Sequence, residues 1–147
     1  MANAIPTNIC IDIETQLNAA SFSQTIEAER SYIPAFERDE LEDTIKVSII
    51  NNGYRRNIRT RAKNRIETTT SVRIYVQTKA NRNDLTRVDE LVRLTEEIHE
   101  YLEQNVFDGA HYLPTVDELP DLLDIFDPDA LKRGLFISEI NMLLRKV

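Results

Sequence analysis

The chain has few of the residue types on which many secreted and catalytic proteins depend. Its 147 residues include one cysteine, two histidines, three glycines and no tryptophan. The lone Cys10 excludes an intramolecular disulfide and a cysteine-based zinc site, and its place beside Ile9 and Ile13 predicts a buried thiol. No stretch approaches the roughly 18 apolar residues that cross a bilayer, and residues 1–9 lack the pattern of a signal peptide. We therefore expect no membrane contact and a protein that is made and used in a cytoplasm.

Motifs for catalysis, metals and cofactors are also scarce. The sequence Asn51-Asn52-Gly53 predicts a tight turn and not a phosphate cradle. Glu96 and His99 have the Glu-x-x-His spacing of di-iron helices, but such a site needs a second motif and two more carboxylates, so a solvated helix face is favoured. His111 is isolated, and Asp127-Pro128-Asp129 lacks the ligand spacing of a calcium loop. The sequence predicts a protein that is not an enzyme, with no cofactor and no metal.

Charge is the most informative feature that is present. The net charge is −7, yet the stretch from Arg55 to Arg65 is free of acidic residues; the rest of the chain has 12 basic against 25 acidic residues, a balance of −13. The stretch carries six cations: Arg55, Arg56, Arg59, Arg61, Lys63 and Arg65. Such a separated cationic segment on an acidic body predicts contact with something anionic.

Hydrophobic periodicity predicts an α+β fold in one domain over residues 1–147. Helices are expected where apolar residues recur every three or four positions, from Ile5 to Leu17, capped by Asn3 or Thr7, and over Asp84–Gln104, capped by Asn83 or Asp84. Alternating patterns predict four strands: Thr25–Ile33, Thr44–Asn51, Ile66–Thr78 and Leu135–Lys146. Since tight turns cannot join parallel neighbours, we expect a mainly antiparallel four-stranded sheet with both helices on one face.

The third strand predicts a projecting hairpin. Its length of about 13 residues corresponds to about 43 Å, more than twice a typical strand. Ser71–Thr78 would pack on the body, while the end next to the basic stretch would extend beyond it. We therefore expect a long basic hairpin over about residues 52–70.

An acidic segment follows the second helix. Residues 108–134 are predicted to form an irregular loop excursion without a cation before Lys132. Its candidate interface residues are Asp117, Glu118, Asp121, Asp124, Asp127 and Asp129. Contact between the basic hairpin of one copy and this segment of the next would be heterologous and could close as a ring.

Three interpretations of the basic stretch remain open. It could be a plain solvated loop. It could read a nucleic-acid sequence, although Tyr54 is the only aromatic residue nearby for stacking. It could also line a channel or dock on an acidic neighbour, which we favour.

Two regions resemble a known family. Leu17–Gln24, followed by Ala28–Pro34 and Phe36, resembles the N-terminal third of small proteins encoded among the head-to-tail genes of tailed bacteriophages. Phe126–Leu131 and Phe136–Ile140 are similar to the closing loop and strand of that family.

The resemblance implies a neck or tail-completion protein, most like the tail terminators. Such proteins have a mixed α+β sheet with two helices and form a hexameric ring that caps the tail tube and joins it to the head connector. The implied partners are further copies of the chain, the tail-tube protein, the head-side neck protein, and genomic DNA passing through the lumen without sequence specificity. The implied location is the virion neck. Two alternatives are a head-completion or adaptor ring and a basic-loop nucleic-acid-binding module.

Overall fold

Three helices and six strands make up the described part of the chain. The computed structural model describes residues 3–32, 44–60, 65–113, 123–124 and 127–146, and for residues 57–60, 65 and 123–124 the backbone only. The elements are α1 (Ile5–Ala19), β1 (Ile26–Arg30), β2 (Ile45–Thr60), β3 (Arg65–Lys79), α2 (Leu85–Gln104), β4 (His111–Tyr112), β5 (Leu123–Asp124), α3 (Pro128–Lys132) and β6 (Leu135–Lys146). The predicted α+β class is confirmed.

The sheet has the order β1-β2-β3-β6-β4, and β5 also pairs with β6. The prediction of four antiparallel strands is wrong in two respects. β1 runs parallel to β2, from Ile26 opposite Ile45 to Arg30 opposite Ile49. The connection over residues 31–44 is long enough for the crossover that a parallel pair needs. In addition, β4, β5 and α3 lie within the segment that was predicted to be irregular.

The predicted turn at Asn51-Asn52-Gly53 is also wrong, because β2 continues through it as a β-bulge. Asn51 pairs with Val72 and Gly53 with Ser71, which leaves Asn52 as the extra residue. The amide of Asn52 donates to Ser71 Oγ at 3.4 Å, and the backbone N–H of Gly53 donates to Asn51 Oδ1 at 3.2 Å. A bulge absorbs one residue without ending the strand, so the basic residues that follow belong to β2 itself.

The core lies on one face of β3 and β6. Alternate residues of both strands are buried, as the sequence predicted: Thr68, Thr70, Val72, Ile74 and Val76 on β3, and Phe136, Ser138, Ile140, Met142 and Leu144 on β6. Ile9, Ile13 and Leu17 of α1 and Leu91, Leu94, Ile98 and Leu102 of α2 join the same hydrophobic cluster. Both long helices therefore contribute to one hydrophobic core with β3 and β6.

The two long helices begin differently. The residue before α1 is Ala4, which makes no side-chain cap, so the predicted caps Asn3 and Thr7 are wrong. Pro6 lies in the first turn of α1, where the missing backbone N–H costs little. α2 follows Asp84, whose carboxylate accepts from the Arg87 backbone N–H at 3.2 Å, as predicted. Among the described residues, no helix is long and apolar enough to cross a membrane.

Candidate functional site at the basic hairpin

The basic stretch forms part of one long antiparallel hairpin. β2 and β3 pair from Lys46 opposite Gln77 to Thr60 opposite Arg65. A second bulge lies between Ile58 and Thr60 and leaves Arg59 as its extra residue. Bulges increase the local twist of a strand, so the outer hairpin carries two such points. Arg61 and Lys63, at positions between the two strands, lie outside the described residues.

The outer part of the hairpin has no third strand beside it in the described structure. Pairing of β3 with β6 ends with Thr68 opposite Lys146, and pairing of β1 with β2 ends at Ile49. Beyond these points, residues 57–60 and 65–67 pair only with each other. In the described structure, the edge of β2 from Ile50 outward is about 35 Å long and offers its backbone N–H and C=O groups to a partner.

Arg55 and Arg56 are the basic residues of the hairpin whose side chains the structure describes. Both are exposed, and consecutive strand positions direct them to opposite faces of the sheet. Among the described residues, neither forms an ion pair or a side-chain hydrogen bond. Arg59 and Arg65 lie on the strands, with only their backbones described. Two unpaired cations are thus available to an anionic partner.

Sheet register adds two cations that the sequence interpretation missed. Arg55 lies opposite Thr69, which lies opposite Arg145; Arg56 lies opposite Thr68, which lies opposite Lys146. In each of these two sets of facing residues, the β2 residue and the β6 residue are two strand spacings apart, which is about 10 Å. The end of β6 therefore extends the positive charge across three strands, with one set on each face of the sheet.

Both of these added cations already have a carboxylate partner. Arg145 Nε lies 3.8 Å from Glu67 Oε1, and Lys146 Nζ lies 3.1 Å from Asp108 Oδ2. Asp108 is held in turn by Asp12, whose Oδ2 accepts from the Asp108 backbone N–H at 2.7 Å. The pairs reduce the positive charge at the base of the hairpin, while Arg55 and Arg56 keep theirs.

A cleft of about 310 Å³ opens at the base of the hairpin. It is lined by Ile5, Tyr54, Arg56, Ile66, Thr68 and Lys146. Tyr54 is 46% exposed, so this aromatic residue is accessible to a ligand in the cleft. The combination of an aromatic ring, two aliphatic side chains and two cations suits an anionic group attached to an apolar or planar body.

The predicted acidic interface is described only in part. Asp127 caps α3 by accepting from the Asp129 backbone N–H at 3.0 Å, and both side chains are exposed. Asp124 lies on β5 opposite Glu139. Asp117, Glu118 and Asp121 lie outside the described residues. The structure brings Asp127 and Asp129 together in the first turn of α3 and does not place them near Arg55 or Arg56 of the same chain.

The histidines and the cysteine have ordinary environments. His99 Nε2 lies 3.1 Å from Glu103 Oε1, one turn along α2, whereas Glu96 is exposed. His111 is exposed on β4. Cys10 is buried in the core, and this burial raises the pKa of its thiol to about 11, with a smaller opposing effect from Arg30. Over the described ranges, no group of three or more His, Cys, Asp or Glu side chains could hold a metal ion.

A comparison with known protein families finds no matching family model, and no curated protein matches the chain significantly.

Proposed function

We propose that this chain is a structural tail terminator of a tailed bacteriophage, located in the virion neck. It would form a hexameric ring that caps the tail tube and joins it to the head-side connector, without catalytic activity. One observation carries the proposal: the outer part of the β2–β3 hairpin pairs with no third strand in the described structure and exposes Arg55 and Arg56 without partners. Such a hairpin is suited to reach a neighbouring subunit or a central channel.

The proposed mechanism is geometric and electrostatic. One ring face would match the last ring of the tail tube and stop its growth, and the opposite face would dock on the neck. Exposed Asp127 and Asp129 of one copy are complementary in charge to Arg55 and Arg56 of the next, which favours a head-to-tail contact around a ring. Cations that face the lumen would interact with passing DNA through its phosphates alone, so this interaction would weaken steeply with salt.

Native mass spectrometry over a concentration series tests the assembly. The expected result is a discrete species of six chains, which electron microscopy would show as a ring. A strict monomer at every concentration, also after mixing with the tail-tube protein encoded in the same genome, would contradict the proposal.

Neutralising the hairpin tests its role separately from folding. We expect the variant with Arg55, Arg56, Arg59 and Arg61 all replaced by glutamine to remain folded but to lose ring formation or joining. Arg93 and Arg133 are exposed cations outside the hairpin, so the Arg93→Gln/Arg133→Gln variant is a control for partial loss of charge. Normal joining of the tail to the head by the hairpin variant would show that the hairpin cations are not part of the mechanism.

A nucleic-acid-binding module is the second candidate, and the exposed ring of Tyr54 beside Arg56 in the cleft favours it. Stacking of a base on an aromatic ring next to a cation is a common way to bind single strands. A module of this kind should retain DNA as a monomer at about 0.15 M salt, whereas a terminator should require assembly. Relative binding to the tail-tube and connector proteins would then distinguish a terminator from an adaptor ring.

A further inference from the structure

A second group of cations lies at the end of the sheet opposite the hairpin. Here a cleft of about 380 Å³ opens between the loop that follows β3 and the turn that precedes β6. Lys79, Arg82 and Lys132 line it, together with Asn81, Ala80 and Leu131. Arg65 and Lys79, at the two ends of β3, are separated by about 46 Å of strand, so this cleft is distinct from the hairpin site.

Backbone hydrogen bonds fix the two walls of this cleft. The Ala80 N–H donates to the Gly134 carbonyl at 3.1 Å and joins one wall to the other. Asn81 organises the first wall, because its side-chain Oδ1 accepts from the Asn83 N–H and its carbonyl accepts from the Asp84 N–H, both at 3.0 Å. The cations are therefore held on a preformed frame, which lowers the entropic cost of binding.

Gly134 closes the second wall. Its N–H donates to the Leu131 carbonyl at 3.1 Å, and its φ of 81° lies in the left-handed region that favours glycine. This turn of two residues, Arg133 and Gly134, separates α3 from β6 and keeps Lys132 beside the loop after β3.

The charges in this cleft are unbalanced. Lys79, Arg82 and Lys132 are all exposed, and within the described structure none of them forms an ion pair. No described Asp or Glu side chain lines the cleft. Asp84, which is close in sequence, caps α2 through the Arg87 N–H. Three like charges that line one cleft without a carboxylate make its potential positive, which favours a bound anion.

We propose that this cleft binds phosphate groups, two or more in one compact ligand. The guanidinium of Arg82 can bind one phosphate through two parallel hydrogen bonds, and Lys79 and Lys132 supply point charges for a second. The volume lies within the usual range for small-ligand sites, while Ala80 and Leu131 offer little apolar surface for an organic body. The ligand thus carries two or more phosphates, either as a free polyphosphate, such as pyrophosphate or a nucleoside polyphosphate, or as successive phosphodiesters of a nucleic-acid backbone. The inference does not depend on the terminator proposal.

Calorimetric titration of the full-length chain with pyrophosphate at about 0.05 M salt tests this site. The test variant is Lys79→Gln/Arg82→Gln/Lys132→Gln, which changes only exposed side chains. The matched control, Arg55→Gln/Arg56→Gln/Arg59→Gln, removes the same number of charges at the hairpin. We expect the cleft variant to bind pyrophosphate about tenfold more weakly than the unchanged protein does, and the hairpin control to lose much less affinity.

Circular dichroism would establish that both variants are folded, and the single change Lys132→Gln would replace the triple variant if that variant were not. Duplex DNA in a parallel titration identifies the source of the phosphate. If the cleft variant loses DNA binding and pyrophosphate competes with DNA for the unchanged protein, the site is supported and its ligand is a nucleic-acid backbone. Pyrophosphate binding without such competition supports it with a small free ligand.

Three results would overturn the proposal. The first is no binding of pyrophosphate by the unchanged protein at millimolar concentration. The second is equal weakening by the cleft variant and the hairpin control, which would indicate general charge attraction. The third is binding of a ten-residue glutamate peptide at least as tightly as pyrophosphate, with the same dependence on Lys79, Arg82 and Lys132, which would make the cleft a docking site for an acidic protein.

Discussion

The hydroxyl oxygens of Thr95 and Ser138 lie 2.8 Å apart in the core and join α2 to β6. Both residues are fully buried. Thr95 Oγ1 also donates to the Leu91 carbonyl at 3.0 Å, so Ser138 supplies the proton of the hydroxyl pair. This direction makes the two residues unequal, because only Ser138 depends on the pair for its hydrogen bond.

The first prediction follows from this inequality. Thr95→Val should lower the free energy of unfolding by about 1–3 kcal/mol, since it leaves a buried hydroxyl on Ser138 without an acceptor. Ser138→Ala should cost less, about 1 kcal/mol or below, because Thr95 keeps its bond to Leu91. The double variant should be more stable than Thr95→Val alone. Urea denaturation of the four proteins measures these values, and additive effects of the two changes would contradict the assignment.

The second prediction concerns Cys10 and pH. In the unfolded chain its thiol titrates near its ordinary pKa of 9.0, whereas burial raises the folded-state pKa to about 11. The folded state therefore keeps a proton that the unfolded state loses, and the resulting stability is lost as pH rises from 9 through 11. Cys10→Ala removes this dependence, although it leaves a small cavity that costs about 1 kcal/mol at neutral pH.

Denaturation of both proteins from about pH 7 to about pH 10.5 is the measurement. The stability advantage of the cysteine protein should shrink by on the order of 2 kcal/mol over this range, enough to reverse the order of the two proteins. A constant difference at every pH would show that the Cys10 thiol titrates normally.

Local patterns in the sequence predict correctly the strands that bury one face. β6 has the predicted bounds, and β3 differs by one residue at each end, because alternate burial repeats over many positions. The parallel β1 and the bulge at Asn52 were not predicted, since both depend on which strand lies alongside. A bulge also shifts the alternation by one residue, so that Tyr54 and Arg56 follow Asn51 on the same face.

The sequence predicts the cluster of positive charges at the candidate site, but it does not predict the surface on which they lie. Arg55 and Arg56 come from one run of sequence, but Arg145 and Lys146 join them only through the β3–β6 register. Matching the buried faces of the two strands, Thr70 against Leu144, would have supplied that register. The cleft at Lys79 combines residues about 50 positions apart, for which no local pattern gives a signal.

The third prediction tests whether Asp108 limits the charge at the hairpin base. Asp108→Asn keeps a residue that tolerates the positive φ of 49° but removes the carboxylate that pairs with Lys146. If DNA contacts this surface, the assembled variant should retain duplex DNA to a higher salt concentration than the unchanged protein, with affinity increased a few-fold. Elution from immobilised DNA in a salt gradient measures this.

Asp89→Asn is the matched control for the Asp108 experiment, because it removes one exposed carboxylate of α2, outside both the hairpin and the candidate acidic interface. An equal shift for both variants would indicate an effect of net charge alone. No shift for either would place the DNA path away from Lys146.

The fourth prediction separates two roles of Arg55 and Arg56. Exposed edge strands are often protected from pairing with other chains by charged residues and bulges, and β2 has both. Protection requires charge of either sign, whereas binding to an anionic partner requires positive charge. The Arg55→Glu/Arg56→Glu variant should therefore stay soluble under both interpretations. Joining of the tail to the head should be lost only if the cations bind the partner.

Arg55→Lys/Arg56→Lys completes this experiment, because it keeps the sign of the charge and removes the planar guanidinium. We expect joining by the lysine variant to be reduced but present, and joining by the glutamate variant to be absent, with both proteins remaining dispersed in sedimentation. Full joining by the glutamate variant would show that the arginines serve only to protect the edge of β2. The proposed terminator would then have to contact its neighbours through surfaces other than the pairing of Arg55 and Arg56 with Asp127 and Asp129.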